Sequence, residues 1–249
     1  MSETTGATTI HSIDNFRLDS AGFALPGTDL LIYNPDENGE GEICMRGRNT
    51  MMGYLKNEKA TIQTIDGRGF VHSGDRGRIE KDGHLKITGR IKELIITAGG
   101  ENIAPVPIED CFKAECPPCS NIMLVGEMQR FLACLITFKA DIDPESGVPS
   151  KNLTAETRSF FKRELGLDIK TTVEACSDSL VHDYIWKCIE ATNTRSLSRA
   201  GYIRKFKLIP IDFSIPGGEL TPTLKLKRKV TEKKFKDLLD DMFVADSKL

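Results

Sequence analysis

The sequence predicts a mixed α+β protein in two parts, a β-rich segment over residues 1–91 and an α+β segment over residues 92–249. Two observations lead to this prediction. Short apolar or alternating runs, separated by Asn-Gly and Asp-Gly breaks, fill residues 23–91. Past Arg90, strand-like runs are interleaved with segments of helical periodicity. A length of 249 residues suits one large domain or two smaller ones.

In the first segment, four runs have the length and alternation of strands: LLIY, GEICMRG, GFVHSGD and HLKITGR. The intervening stretches NPDENGEG and EKDGH predict hairpin turns, because Asn-Gly and Asp-Gly tolerate positive φ. This segment is therefore expected to be a meander of short strands.

The second segment mixes helices and strands. LIIT predicts a strand, and VPIEDCFKAE predicts a helix with Pro107 near its first turn. NIMLVGEMQRFLACLITF predicts a hairpin that turns around Gly126, and AETRSFFKREL a helix that ends at Gly166. Further on, we expect a helix at SLVHDYIWKCIEATNTRSL, a strand at YIRKFKLIPI, a strand-like stretch at GGELTPTLKLKRKV and an amphipathic helix at TEKKFKDLLDDMF.

Charge is balanced over the chain but not along it. The net charge of −2 argues against a nucleic-acid-binding protein. Between Arg199 and Lys236, however, eleven basic residues face only three acidic ones. This asymmetry favours a local anionic partner, with a solvated basic face as the alternative. Few aromatic residues accompany the cluster, so nucleic-acid binding is not expected.

The N-terminal sequence MSETTGATTIHSID lacks the features of a secretory signal, and no apolar run is long enough to span a bilayer. Seven cysteines, an odd number, then predict reduced thiols and a cytoplasmic location. The C-x-x-C spacing of Cys116 and Cys119 is compatible with zinc or redox chemistry. Because no second such pair and no nearby histidine accompanies it, a plain loop is the favoured interpretation.

The stretch HSGDRGRIEKDGHLKITGRIKELIITAGGENIAP carries the most chemistry. Asp75 follows a glycine at a strand end, where a carboxylate can accept hydrogen bonds from vicinal hydroxyl groups. Arg90 can bind a sugar or phosphate oxygen. Gly99 and Gly100 permit a ligand to approach the backbone closely.

In this order and spacing, these residues resemble motifs of the adenylate-forming superfamily. MSETTG, GEICMRGRNTMMGYLKNEKAT and GELTPTLKLKRKV resemble three further motifs of that superfamily, and the chain looks most like a bubblegum-type long-chain fatty-acid–CoA ligase. The resemblance implies the last loop and small β-barrel of a large adenylation domain, followed by a mobile α+β domain. It also implies a two-step reaction, in which a long-chain fatty acid and ATP give an acyl-adenylate and coenzyme A then gives the thioester.

The resemblance assigns roles to residues of the first segment. Glu3 is expected to approach Mg²⁺ and to act in catalysis. Ser2 or Thr4 is expected near the adenylate phosphate or the acyl carboxylate. Asp75 is expected to hold the ribose hydroxyls, with Arg90 beside it.

It also assigns roles around and beyond the boundary. Lys92 corresponds to the hinge between the two domains. Gly99 and Gly100 match the loop that lines the pantetheine passage. Lys225 matches the lysine that supplies charge during adenylation, whereas Lys227, Arg228 and Lys229 are expected to be solvated or near phosphates of coenzyme A.

One departure opens a second hypothesis. The chain contains no G-x-x-x-x-G-K pattern and no other glycine-rich loop of the kind that cradles ATP phosphates in the family. It therefore resembles a fragment of such an enzyme, expected to be inactive alone, and the alternative is a non-catalytic module that binds nucleotide or coenzyme A. Peripheral membrane contact stays open, because long-chain fatty acids partition into bilayers. No specific protein partner is indicated.

Overall fold

The computed structural model describes residues 1–196 and 198–244. It divides into two compact units, Met1–Leu94 (the first unit) and Ile95–Leu249 (the second unit). The sequence places the boundary between residues 91 and 92, and the assignment of the two segments as domains stays a prediction.

The first unit is built mainly from β-strands. Three 3-10 turns lie at Ser2–Thr4, Ile13–Asn15 and Ile91–Glu93. The described strands and helix are β1 (Thr9–Ile10), β2 (Phe23–Ala24), β3 (Thr28–Tyr33), β4 (Gly41–Gly47), α1 (Glu58–Thr64), β5 (Val71–Ile79) and β6 (Leu85–Arg90). The four strand runs predicted from the sequence correspond to β3 through β6, whereas helix α1 was not predicted.

Strands β3, β4, β5 and β6 form one antiparallel sheet in sequence order. Closure into a barrel requires hydrogen bonds between the first and last strands. Within the described part of the chain, β3 and β6 are not paired with each other, so the expected small barrel is an open sheet. Its core is small, with Ile43, Met45 and Leu85 at the centre.

The second unit mixes helices and strands. In chain order it contains β7 (Ile95–Ile96), β8 (Asn102–Ile103), α2 (Pro105–Glu115), β9 (Cys119–Val125), β10 (Leu132–Phe138), β11 (Ala140–Ile142), β12 (Pro149–Leu153), α3 (Ala155–Leu165), α4 (Thr172–Ser177), α5 (Ser179–Thr194), β13 (Ile203–Ile209), α6 (Arg228–Lys234) and α7 (Lys236–Val244). A 3-10 turn lies at Arg199–Gly201. The predicted α+β class is confirmed.

Strand β10 lies at the centre of a three-stranded sheet, antiparallel to β9 and parallel to β13. Every residue of β10 is buried, because both faces of the sheet are covered. Cys134 and Ile136 point into one core, with α2, α3 and α5, while Ala133 and Leu135 point into a second core with α7. Alternate strand residues face opposite sides, so a continuous apolar run is what a doubly covered strand requires. The predicted hairpin of β9 and β10 is confirmed.

Helix ends in the second unit follow local capping chemistry. The Thr154 hydroxyl accepts a hydrogen bond from the Thr157 backbone N–H (3.3 Å) at the start of α3. Gly166 ends α3 with φ of 70°, as predicted for a glycine stop. The Asp178 carboxylate caps α5. The helix predicted over residues 179–197 corresponds to α5 (Ser179–Thr194). Residue Leu197 lies outside the described residues.

Two predictions for the last part of the chain are wrong. The stretch from Gly217 to Val230 forms a turn and then enters α6, and only the bridge between Leu220 and Leu226 is strand-like. The single helix expected at TEKKFKDLLDDMF is two helices, because the backbone leaves the helical conformation at Phe235 (φ −105°, ψ 21°). In the described residues, no helix combines the length and apolarity needed to cross a membrane.

Candidate functional site

Asp75 and Arg90 face each other across β5 and β6. They are register partners, and Arg90 donates from Nε to Asp75 Oδ1 at 2.8 Å. This hydrogen bond, and then the carboxylate charge, raise the pKa of Arg90 above its ordinary value. The Asp75 carboxylate stays partly exposed, so it can accept hydrogen bonds from a ligand while Arg90 fixes its orientation.

The backbone around Asp75 is fixed by its neighbours on β4 and β5. Gly74 has φ of 71° and donates its backbone N–H to Glu42 Oε1 at 2.9 Å. The Asp75 backbone N–H donates to Ser73 Oγ at 3.0 Å. A side chain on Gly77 would lie 2.2 Å from the Lys86 carbonyl oxygen, so only glycine allows β5 and β6 to approach here.

Glu3 lies on the N-terminal 3-10 turn with its side chain half-buried. Its Oε1 accepts a hydrogen bond from the Tyr54 hydroxyl at 2.9 Å, and its backbone carbonyl accepts one from Met51 N at 2.8 Å. The pKa of Glu3 is below its ordinary value, first because its own backbone N–H donates to the carboxylate and then because Tyr54 does. The charge of Arg90 lowers this pKa further. Glu3 is therefore an ionised carboxylate held by a tyrosine.

The two hydroxyl residues that flank Glu3 differ in exposure. Ser2 is exposed. Thr4 is completely buried, and its hydroxyl lies 3.2 Å from the carbonyl oxygens of Met1 and Gly6. Asn49 donates to the Thr4 carbonyl oxygen at 3.0 Å. In this conformation Thr4 holds the turn together, and Ser2 has the freer hydroxyl for a ligand.

Glu3 borders an open depression of about 730 Å³ on the first unit. Tyr54, Glu42, His72 and Lys92 also line it. Lys92 is exposed on the 3-10 turn that follows β6. The depression thus combines the Glu3 and Glu42 carboxylates with the Lys92 ammonium group. This polar lining suits a charged ligand that binds together with a cation.

In the second unit, the predicted glycine loop is the turn between β7 and β8. Thr97 N donates to Glu101 O at 3.0 Å, and Gly100 N donates to Thr97 O at 2.9 Å. Gly100 has φ of 80°, where a side chain would be strained. Gly99 and Gly100 are exposed, and the backbone there is open to a ligand.

Lys225 lies on a tight turn that ends just before α6. Thr221 N donates to Lys225 O at 2.8 Å, and Lys225 N donates to Thr221 Oγ1 at 3.0 Å. Leu224 has φ of 60°, a conformation that leucine rarely adopts. The Lys225 side chain is exposed, and its ammonium group makes no ion pair within the described ranges.

Two buried carboxylates hold this turn on either side. Glu109 of α2 binds Arg228 through both oxygens, with Nη1 at 2.8 Å and Nη2 at 2.5 Å. Glu109 also accepts from Leu124 N at 2.7 Å. The expectation that Arg228 is solvated is therefore wrong, because its guanidinium group is held by this buried carboxylate. On the other side, buried Glu219 forms an ion pair with Lys234. The backbone that carries Lys225 is therefore attached to the core at both ends.

Solved structures identify the class of fold. The chain superposes on the adenylation domain of a carboxylate reductase from Mycobacterium chelonae with a TM-score of 0.64 at 18% identity, covering 87% of this chain and 31% of that one. It superposes on O-succinylbenzoate coenzyme A synthetase of Bacillus subtilis, in complex with ATP and magnesium ion, with a TM-score of 0.59 at 21% identity, covering 92% and 39%. The fold is that of adenylate-forming enzymes.

Sequence relatives are more specific. Residues 1–55 match the family of AMP-binding enzymes. The chain is 48% identical over 249 residues to long-chain-fatty-acid–CoA ligase ACSBG2 of Gallus gallus, covering 99% of this chain and 32% of the relative. It is 44% identical over 245 residues to ACSBG1 of Mus musculus, covering 98% and 34%. The predicted resemblance to bubblegum-type long-chain ligases is confirmed, and the chain spans about a third of the length of these curated relatives.

The structure brings some of the predicted residues together and adds others. Asp75 and Arg90 are in direct contact, and Glu3 and Lys92 border one depression. Tyr54 and the pair Glu42 and His72 were missed, because their partners are distant in sequence and no spacing motif marks them. The functional roles of all these residues stay predictions.

Proposed function

We propose that this chain is part of a long-chain fatty-acid–CoA ligase, which activates a fatty carboxylate with ATP and transfers the acyl group to coenzyme A. The observation that carries the proposal is the Asp75–Arg90 pair, with ionised Glu3 nearby, in a chain 44% and 48% identical to two ligases of this name.

The first unit would bind the nucleotide. The outward part of the Asp75 carboxylate would accept hydrogen bonds from the ribose hydroxyls, while Arg90 keeps it oriented. Glu3 fits Mg²⁺, because hard cations prefer carboxylate oxygens and this carboxylate is ionised and borders an open depression. Bound Mg²⁺ would neutralise phosphate charge. Ser2 or Thr4 would lie near the phosphate or acyl carboxylate, with the exposed Ser2 better placed in this conformation.

The second unit would supply groups that differ between the two half-reactions. Lys225 provides a positive charge during adenylation, and its exposed ammonium group is available for this. Gly99 and Gly100 leave backbone space for the pantetheine of coenzyme A. Lys92 would be the pivot between the domains. ATP, Mg²⁺, a long-chain fatty acid and coenzyme A are thus the proposed ligands, in a cytoplasmic setting with peripheral contact to a membrane.

The test uses a chimera in which this chain replaces the matching third of the Gallus gallus relative. Lys225→Ala should slow pyrophosphate release from palmitate and ATP by about 10²-fold, the effect of losing one group that stabilises developing charge. Thioester formation from pre-formed palmitoyl-adenylate and coenzyme A should change only a few-fold.

Lys227→Ala and Lys229→Ala are the matched controls, since each removes one positive charge close to Lys225. A steering role would give three similar losses that fade with added salt, as expected for exposed charges. Normal adenylation by Lys225→Ala would refute the assignment of this lysine. A chimera that folds but forms no palmitoyl-CoA would refute the proposed function.

A further inference from the structure

Strands β4 and β5 bring together three side chains of different donor chemistry. Glu42 and Cys44 lie two residues apart on one face of β4, and His72 of β5 is the register partner of Cys44. One donor atom from each side chain, a carboxylate oxygen, the thiol sulfur and an imidazole nitrogen, all lie within 4.8 Å of one another. In the described residues, no other group of histidine, cysteine and acidic side chains converges in this way.

The separation of the Glu42 and His72 donor atoms is close to that in a metal site. Tetrahedral zinc binds nitrogen and oxygen at about 2.0 Å and sulfur at about 2.3 Å, which separates its ligand atoms by roughly 3.3–3.6 Å. His72 Nδ1 lies 2.7 Å from Glu42 Oε2, the length of a hydrogen bond. An ion in place of the shared proton would therefore require the two side chains to separate by only about half an ångström.

Neighbouring groups already act on two of the three donors, Glu42 and His72. Glu42 accepts the Gly74 backbone N–H through Oε1 at 2.9 Å, which directs Oε2 towards His72. On the far side of the imidazole, Asp66 Oδ2 faces His72 Nε2 at 4.0 Å. Asp66 is itself held by the backbone N–H of Arg68 and of Phe70. At this distance Asp66 makes no direct hydrogen bond to His72, but its negative charge favours a proton on Nε2, which leaves Nδ1 free for metal.

Access and charge are also suitable. Glu42 and His72 each keep 19% of their side-chain surface exposed and line the open depression, so an ion and a water molecule can reach them. Cys44 is completely buried beside Glu42 and His72. A bound cation would stabilise its thiolate.

We propose that Glu42, Cys44 and His72 form a binding site for one zinc ion, with water at the fourth position. Thiolate, imidazole and carboxylate are the donors that zinc accepts, whereas Mg²⁺ prefers a shell of oxygen ligands. On binding, the Cys44 S–H bond breaks, the sulfur keeps the electron pair and bonds to zinc, and the proton leaves to solvent. None of the three residues is among those assigned to ATP, although Glu42 and His72 line the same depression as Glu3, and the site does not rest on the proposed ligase activity.

Zinc at this site would also affect the position of Asp75, one of the residues proposed to bind the nucleotide. Glu42 holds the Gly74 backbone, and Gly74 directly precedes Asp75. A carboxylate that moves towards an ion would change the hydrogen bond that fixes this turn. The site therefore couples metal occupancy to the position of Asp75.

Co²⁺ is the spectroscopic probe, because cobalt bound to a thiolate gives a charge-transfer absorption that cobalt bound only to oxygen and nitrogen lacks. Titration of the reduced 249-residue protein should give this band at one Co²⁺ per chain, and Zn²⁺ should abolish it. Cys44→Ser should remove the band, while the matched control Cys111→Ser, which changes a half-buried thiol of α2, should retain it.

His72→Gln retains Cys44 and should weaken Co²⁺ binding by about tenfold or more. This variant also keeps the proposal testable if Cys44→Ser does not fold, and circular dichroism checks the fold of each variant. A titration with no charge-transfer band, or a band that persists in folded Cys44→Ser, would overturn the site. A band that is as strong and as tightly bound in His72→Gln would overturn it as well.

Discussion

The two units of the molecule are stabilised in different ways. In the second unit, apolar side chains cover both faces of the sheet around β10, and fully buried residues such as Phe138, Phe161 and Leu135 fill the two cores. In the first unit the core is small, and arginines cross-link the strands instead. Arg46 of β4 binds Asp29 of β3, and Arg17 binds Glu80 and Asp82 of the turn between β5 and β6. The stability of the first unit should therefore depend on pH and salt, whereas the stability of the second unit should depend on the volume of its core side chains.

The comparison also separates two kinds of ion pair. The Arg228–Glu109 pair of the second unit is buried, with 13% and 8% of the side chains exposed, whereas the Arg46–Asp29 pair of the first unit is 47% and 59% exposed. Removal of one partner from a buried pair leaves a charge without solvation, but an exposed pair exchanges its partner for water. Removal of one partner of an ion pair should thus destabilise the second unit more than the first.

The largest effect is expected for Phe161→Ala in the second unit. Phe161 is completely buried and packs edge-on against Phe138, with ring centroids 5.6 Å apart. The substitution should lower the free energy of unfolding by about 3–5 kcal/mol, through lost burial and the cavity left behind. Urea unfolding followed by Trp186 fluorescence measures this, because the sole tryptophan lies in the second unit.

The control is Phe16→Ala in the first unit, where Phe16 is 62% exposed. It should change the free energy of unfolding of the first unit by no more than about 0.5 kcal/mol, as read from urea-dependent labelling of Cys44, because Trp186 reports on the second unit. Comparable losses for the two phenylalanines would contradict the assignment of the large core to the second unit.

The next largest effect on stability is expected when one acidic partner is removed from each of the two ion pairs. Glu109→Gln keeps the shape of the side chain but leaves Arg228 buried without a counter-charge. It should destabilise the second unit by roughly 3 kcal/mol, read from the Trp186 transition. Asp29→Asn is the matched change in the first unit and should cost less than about 1 kcal/mol, read from urea-dependent labelling of Cys44, because the exposed pair is screened by solvent. If Glu109→Gln is as mild as Asp29→Asn, the buried pair does not anchor the Lys225 turn.

A smaller, unit-specific effect is expected on acidification. Hydrogen bonds to the Arg78 and Arg17 guanidinium groups hold the pKa of Glu80 below its ordinary value, and the His84 backbone N–H does the same for Asp82. A carboxylate with a depressed folded pKa stabilises the fold above its unfolded pKa, near 4, and that stability is lost as pH falls through the folded pKa. The first unit should therefore open below about pH 4, before the second.

Cys44 reports on this opening, because it is the sole cysteine of the first unit and is completely buried. With a chelator present, a disulfide reagent that reacts in acid should label Cys44 at a pH where Trp186 fluorescence is still native. Arg17→Gln should move the labelling to higher pH. Coincident Cys44 and Trp186 transitions would show that the two units do not differ in acid sensitivity.

Local sequence chemistry predicted much of the fold. Alternation and Asn-Gly or Asp-Gly turns predicted β3 through β6, and a continuous apolar run predicted the hairpin that contains β10. The parallel pairing of β10 with β13 was not predicted, because β13 lies more than sixty residues further along the chain. Pairing at such a distance depends on packing of the whole unit, which no local pattern encodes.

The candidate site was predicted mainly by resemblance rather than by physical pattern. Asp75, Arg90 and Lys225 are ordinary turn and surface residues when taken singly. The turn at Lys225 was mistaken for a strand, because leucine and lysine alternate there and Leu224 gives no signal of positive φ. The proposed zinc donors Glu42, Cys44 and His72 come together only through the pairing of β4 with β5. Their proximity therefore cannot be predicted from the sequence unless the strand register is known.

The attachment of the Lys225 turn has an entropic consequence. Glu219 and Glu109 fix the backbone on either side of the turn, and Lys227 N closes it with a hydrogen bond to Glu219 O at 2.7 Å. When Lys225 meets an anion, only its own side-chain torsions have to be ordered, at a cost of about 2 kcal/mol. A loose loop would add about 1–2 kcal/mol for each backbone residue that it had to fix. The rigid turn thus leaves more of the attraction between ammonium and anion available as net stabilisation.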